Sequence, residues 1–152
     1  MTEERDRIVV GVDGSAGALA ALRWGLDEAR QRCADLEVVT SGNAPYLAEA
    51  SGYGLIYLSP EELIAEARMV QDQALDQLAP EVAAARAAGC RIDPRLLEGP
   101  PGPALVTESK GAEMLVVGRR GHGPLTRLLL GSVSRHVTTH ATCPVVVIPP
   151  AE

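Results

Sequence analysis

The chain lacks any apolar run approaching the roughly 20 residues that a membrane-crossing helix requires. A helical membrane protein is therefore excluded, and no membrane partner is expected. It also lacks a basic-then-apolar leader: Met1 to Arg7 reads Met-Thr-Glu-Glu-Arg-Asp-Arg, so a secretory signal is not expected. Cysteine is scarce. Cys33, Cys90 and Cys143 are odd in number, far apart and free of any C-x-x-C spacing, which argues against a zinc site or a disulfide framework and fits a cytoplasmic location. Lysine is scarcer still, Lys110 being the single one. One further absence is local: from Met114 to Ala151 there is no Asp or Glu, although the net charge is -6.

What is there fills one ordinary domain, residues 1–152, with 46% hydrophobic residues, too apolar for a disordered chain. The overall acidity argues against a nucleic-acid partner. The acid-free segment holds Arg119, Arg120, Arg127 and Arg135 and all three histidines, His122, His136 and His140. Its surplus of four positive charges on an acidic protein suggests a local anion site. A solvated basic helix face is the simpler alternative.

Hydrophobic patterning predicts alternating strands and helices. Ile8 to Val12 is a buried strand, and Ser15 caps a helix traced by Leu19, Leu22, Leu26 and Ala29. Leu36 to Thr40 is a second strand, and residues 41–58 are a long loop. Ser59-Pro60-Glu61-Glu62 is a capping box opening a helix that Pro80 should interrupt and Gly89 should end. Arg91 to Leu97 is a third strand, restricted to a sheet edge by Pro94. A short helix runs to about Lys110, and Met114 to Val117 is a fourth strand. A helix from about Ser132 to His140 and a fifth strand, Val145 to Ile148, close the chain. This alternation implies βαβ units, hence a parallel sheet with helices on both faces. In such sheets ligands sit beyond the carboxyl ends of strands where the strand order reverses. Asp13, Ser41 and the residues from Gly118 onward occupy such positions.

The chemistry concentrates in Gly118-Arg-Arg-Gly121-His-Gly123, which follows a buried strand, and in Gly131-Ser132, which opens a helix. Glycines let backbone N–H groups approach an anion, and a helix N-terminus adds unpaired donors and a positive dipole end. Ser132 and Ser134 can add hydroxyls, and Arg119, Arg120 and Arg127 can add charge. This is not a Walker A loop, because Lys110 precedes the strand. Gly11-x-x-Gly14-x-x-Gly17 has the wrong spacing for a dinucleotide fingerprint.

The spacing Gly118-x2-Gly121-x9-Gly131-Ser132 resembles the G-2x-G-9x-G-[S/T] signature of ATP-binding universal stress proteins. Val10-Gly-Val-Asp13-Gly-Ser15, Leu130-Gly-Ser-Val133-Ser and Cys143-Pro-Val-Val-Val-Ile148 resemble that family's first strand and turn, last helix start and last strand. The resemblance runs from Ile8 to Pro149. It implies a single Rossmann-like domain, a five-stranded parallel sheet in order 3-2-1-4-5 that binds ATP between strands 1 and 4. Carried over by resemblance, Asp13 meets the ribose and helps hold Mg on the phosphates. Gly11 and Val12 line the same wall, Thr40 or Ser41 meets the adenine through its backbone, and Val117 packs near the base or ribose. Gly118, Gly121, Gly131, Ser132 and Val133 wrap the phosphates. The neighbouring Arg119, Arg120, His122, Gly123 and Ser134 belong to the same loop and helix start. The resemblance also implies a homodimer formed through Val145, Val146, Val147 and Ile148. The chain departs from the family in its polar Thr40-Ser41-Gly42-Asn43 and its doubled Arg119-Arg120.

Other residues have plainer readings. Asp13-Gly14 is turn chemistry in its own right, although a strand end facing a glycine loop favours the ligand role. His136 and His140 are spaced as half a metal site, with an ordinary helix surface the expectation. Cys33 and Cys143 are expected to pack, and Trp24 to serve core or interface. Function is expected to be regulatory binding of ATP or another adenine nucleotide in the stress response. An ATP-hydrolysing or nucleotidyl-transferring enzyme of related architecture remains an alternative, with Asp13 its one acid near the site and no H-x-G-H motif after strand 1. A dimeric interaction module without nucleotide is the third reading.

Overall fold

The computed structural model describes residues 4–42, 58–119 and 130–150. Five strands form one parallel sheet in the order β3-β2-β1-β4-β5. They are β1 (Arg7–Gly11), β2 (Asp35–Gly42), β3 (Ile92–Glu98), β4 (Met114–Gly118) and β5 (Val145–Ile148). The described helices are α1 (Ala16–Arg32), α2 (Pro60–Gln77), α3 (Ala79–Ala87), α4 (Pro101–Glu108) and α5 (Ser132–His140).

Strand alternation sorts side chains into two cores. Ile8, Val10, Leu36, Val38, Met114 and Val116 pack with Leu22 and Leu26 of α1 and with Leu78 and Val82 beside α2 and α3. Val9, Val39, Leu115 and Val117 point the other way, against Leu105 of α4 and Val137 of α5. The central strands are therefore apolar at successive positions, as burial on both faces demands.

Local signals act as expected at most ends. The Ser15 hydroxyl caps α1, and Ser59 with Glu62 forms the reciprocal capping box of α2. Pro80 acts slightly ahead of itself. It cannot donate to the preceding turn, so α2 ends at Gln77 and α3 restarts at Ala79 with Pro80 in its first turn. β3 is an edge strand. The Leu36 N–H donates to the Arg91 carbonyl, so alternate residues from Arg91 face β2 and Pro94 turns its missing N–H outward.

Two expectations need correction. β2 continues through Ser41 and Gly42 instead of stopping at Thr40. The polar side chains find partners: Gln71 of α2 reaches Thr40 Oγ1, and the Ser41 hydroxyl donates to the Gly99 carbonyl. The remainder of the expected loop, residues 43–57, lies outside the described residues. Cys33 does not pack. It is the exposed cap that ends α1 in a left-handed conformation, φ 55°, where the side chain is turned away from the helix. Cys143 does pack, against the second core. Trp24 is half-buried against the first core.

Candidate functional site

The strand order reverses between β1 and β4, since β1 leads through α1 to β2 on one side while β4 is reached by crossover on the other. Their carboxyl ends diverge into different connections, which is the position where such sheets place a ligand crevice. The register pairs Val10 with Val116. The residues that follow, Gly11 to Asp13 and Val117 to Arg119, therefore border one opening.

On the β1 side, Val12 is buried and donates its N–H to the Val39 carbonyl at 2.9 Å. Asp13 organises the turn. Its Oδ1 accepts from the Ser15 N–H at 2.9 Å and the Ser15 hydroxyl at 2.6 Å, while Ser15 Oγ accepts from the Ala18 N–H at 3.1 Å. Gly14 takes φ 83°, which a side chain would oppose. The turn thus presents Asp13 in a fixed orientation at the strand end.

On the β4 side, Gly118 lies against the first turn of α1. A Cβ there would sit 2.7 Å from the Gly17 carbonyl carbon. Arg119 then anchors the loop at both ends. Its N–H donates to the Ile148 carbonyl at 2.8 Å, and its carbonyl accepts from the Gly131 N–H at 2.8 Å and the Ser134 hydroxyl at 2.9 Å. Ser134 is buried, with its hydroxyl also 3.1 Å from the Gly131 carbonyl. Its hydrogen is used to close the neck of the loop. Arg120, Gly121, His122 and Gly123 lie outside the described residues.

α5 opens differently from the other described helices. α1 and α2 have capping side chains, and α2, α3 and α4 carry proline in their first turn. α5 has Gly131 at its cap, no capping side chain and no proline. Exposed Ser132, half-buried Val133 and buried Ser134 contribute the N–H groups of that first turn. Nearby in the chain, Arg119 Nε is shielded from solvent and has no hydrogen-bond partner among the described residues. A buried guanidinium nitrogen carries a donor for which the described chain supplies no acceptor.

The remaining expected residues lie in the following places. Val117 is buried in the second core. Thr40 and Ser41 lie inside β2, paired in register with Leu96 and Leu97. His136 and His140 stack at 4.3 Å, and no group of three metal-ligating side chains occurs among the described residues. Gly17 is a packing partner of Gly118 that sequence reasoning missed. Its signal was the third glycine of Gly11-x-x-Gly14-x-x-Gly17, which is the seat of Gly118 and not a mis-spaced fingerprint.

The fold defines a doubly wound α/β protein of the Rossmann-like class, with its switch point between β1 and β4. The chain belongs to the universal stress protein family, whose model matches residues 4–149. It is 34% identical over 143 residues to the universal stress protein Rv2624c of Mycobacterium tuberculosis, covering 93% of this chain and 47% of that protein. It thus spans about half the length of such mycobacterial relatives. Similarity to the universal stress protein YxiE of Bacillus subtilis is 30% over 146 residues, covering 94% of this chain and 98% of YxiE. Among solved structures, UspA from Lactobacillus plantarum superposes with TM-score 0.70 at 21% identity over 95% and 97% of the two chains. A universal stress protein in complex with cAMP gives 0.64 at 26% identity, over 97% and 98%. The Archaeoglobus fulgidus protein in complex with dAMP gives 0.60 at 25% identity, over 94% and 97%.

Proposed function

We propose that this chain binds an adenine nucleotide, ATP foremost, in the crevice between β1 and β4, as a regulatory ligand of a cytoplasmic stress response. The observation that carries the reading is the uncapped first turn of α5, tied through Gly131 and Ser134 to the backbone of Arg119, whose Nε has no partner among the described residues. Together they offer directed N–H donors and positive charge in one place, which suits phosphate. The cAMP and dAMP complexes of its solved relatives support the choice of base.

In this reading Gly118, Gly131, Ser132 and Val133 surround the phosphates with Arg119, and Gly121, Arg120, His122 and Gly123 complete the loop. Asp13 meets the ribose. Gly11, Val12 and Val117 form the wall, and the backbone at Thr40 and Ser41 faces the adenine. Asp13 supplies a carboxylate for Mg²⁺, with the phosphates furnishing the other oxygens, as that ion commonly requires. Ser134 supports the site by closing its neck.

Nucleotide is assigned as a ligand and not a substrate because the segment holding the phosphates, Met114 to Ala151, carries no carboxylate to orient a nucleophile. A homodimer through Val145 to Ile148 belongs to the same proposal. β5 is half-buried and apolar, and its outer edge presents Val145 and Val147 where the opposite edge presents Pro94.

Denaturing freshly purified protein and identifying released nucleotide by mass spectrometry tests the reading directly. Released adenine nucleotide, or thermal stabilisation by millimolar ATP, is the expected result. No released nucleotide, together with no stabilisation by ATP, ADP, AMP or cAMP, overturns it.

A further inference from the structure

Beneath the second helical layer, charged side chains from four elements meet away from the crevice. Arg7 of β1 donates from Nη1 to Glu37 Oε2 of β2 at 3.0 Å and to the Glu108 carbonyl of α4 at 2.9 Å. Its Nη2 donates to the Lys110 carbonyl at 2.9 Å. From β3, Arg95 lies 3.6 Å from Glu108 Oε1 and 3.7 Å from Asp93 Oδ2.

Glu37 is the buried member, 5% exposed. Arg7 satisfies one of its oxygens, while Oε1 is sealed from solvent and receives no N–H or hydroxyl. The side chain that interacts with the Glu37 carboxyl besides Arg7 is another carboxyl, that of Glu108. Two carboxyls can hydrogen-bond only when one of them holds a proton. Burial, then the hydrogen bond and charge of Glu108, push the Glu37 carboxyl up to about 7, with Arg7 opposing.

The consequence lies in what else α4 touches. A Cβ on Gly11, at the end of β1, would lie 2.9 Å from Leu105 Cδ1 of α4. A Cβ on Gly102 of α4 would lie 2.9 Å from His136 Cγ of α5. α4 therefore meets the acid pair at its last residue, the end of β1 at its middle and α5 at its start, with no slack at the latter two.

We propose that Glu37 and Glu108 form a proton-operated latch holding α4 to the sheet, which couples pH near neutrality to the crevice between β1 and β4. The coupling to ligand rests on the nucleotide reading above; the latch itself does not. Glu37 is raised in the folded protein. Its stabilising contribution is thus complete below the ordinary glutamate range and is lost as pH rises through about 7. Above that point two neighbouring carboxylates repel each other, and the end of α4 loosens. α5, seated on Gly102, then loses its support.

Hydrogen exchange over residues 101–108, expressed as protection factors at pH 6 and pH 8, tests the latch in the full chain. Protection is expected to fall about tenfold at pH 8. That fall should vanish in Glu37→Gln, a neutral isostere that keeps a donor for Glu108, and in Glu108→Gln. It should persist in His136→Gln, which removes the histidine packed on α4 at Gly102. Protection that is equal at the two pH values, or a fall that survives in Glu37→Gln, overturns the latch. Calorimetry with ATP on the same proteins tests the coupling: affinity should weaken several-fold from pH 6 to pH 8 relative to Glu37→Gln. An identical pH dependence in both proteins overturns the coupling. A latch response with ATP binding at neither pH overturns the nucleotide reading and leaves the latch standing.

Discussion

Gly118 and Gly17 meet backbone to backbone, close enough that a Cβ on Gly118 would lie 2.7 Å from the Gly17 carbonyl carbon and 2.8 Å from its oxygen. The last residue of β4 therefore seats α1 whether or not a ligand is bound. Gly118→Ala must displace backbone, not a flexible side chain. It should cost about 1–3 kcal/mol, as overpacking does. For a chain of this size that lowers the melting temperature by roughly 3–10 °C. Thermal denaturation without nucleotide checks it, and an unchanged midpoint contradicts the contact.

Ser132 allows the helix terminus to be tested without disturbing the helix. Gly131 at the cap has φ -63° and ψ 165°, the extended conformation that a following proline requires. Ser132→Pro thus occupies the first helical position, where proline is well tolerated, and removes one N–H from the proposed phosphate cradle. Folding stability should be nearly unchanged, while ATP affinity drops about tenfold, the value of one charge-assisted hydrogen bond. Calorimetry and thermal denaturation separate the two effects. Wild-type affinity in Ser132→Pro would show that this donor does not face phosphate.

Arg119 should discriminate phosphate from nucleoside. Its Nε has no partner among the described residues, whereas its backbone is committed to Ile148, Gly131 and Ser134. Arg119→Met keeps those backbone bonds and removes the guanidinium. ATP affinity should fall roughly tenfold or more, with adenosine affinity changed little. Equal losses for ATP and adenosine would place the side chain away from the phosphates.

The architecture was readable because most signals agreed with one another. Ser15, the Ser59–Glu62 box, Pro94 at the edge and Gly131 before α5 each act locally, and each also suits the parallel sheet. What sequence could not resolve was how polar residues would be spent. Thr40 and Ser41 read as the end of a strand, but Gln71, distant in sequence, and the Gly99 carbonyl keep them inside it. Ser134 read as one more donor for a ligand, and the Arg119 carbonyl claims its hydroxyl. Cys33 read as packing because a left-handed helix cap is usually glycine. The acid-free segment stood out in the sequence, while the carboxyl pair Glu37 and Glu108, separated along the chain, carried no motif.

Gln71 is the buried polar tie between α2 and the sheet. Its Nε2 donates to the Val38 and Arg95 carbonyls, each at 2.9 Å, and approaches Thr40 Oγ1 at 3.4 Å. Gln71→Leu retains most of the volume and removes these bonds. A loss of about 1–3 kcal/mol is expected, since Thr40 is left buried with a partner missing. Urea denaturation measures it. A neutral or stabilising outcome would show that the tie is dispensable.

The two sheet edges differ in a way that makes the dimer testable. Arg119 donates to the Ile148 carbonyl and Leu115 to the Pro144 carbonyl, so alternate residues of β5 face β4 and the backbone of Val145 and Val147 faces outward. On β3 the corresponding outward position holds Pro94, which blocks strand addition. On β5 it holds valine, which permits it. Val147→Pro transfers the device from one edge to the other. It removes an outward N–H, leaves the β4–β5 ladder its donors, and keeps an apolar side chain against the second core. Wild-type protein should elute as a dimer of about twice 16.0 kDa by light scattering, and Val147→Pro as a folded monomer at the same concentration. A wild-type monomer, or a Val147→Pro dimer of undiminished stability, would rule out pairing through β5.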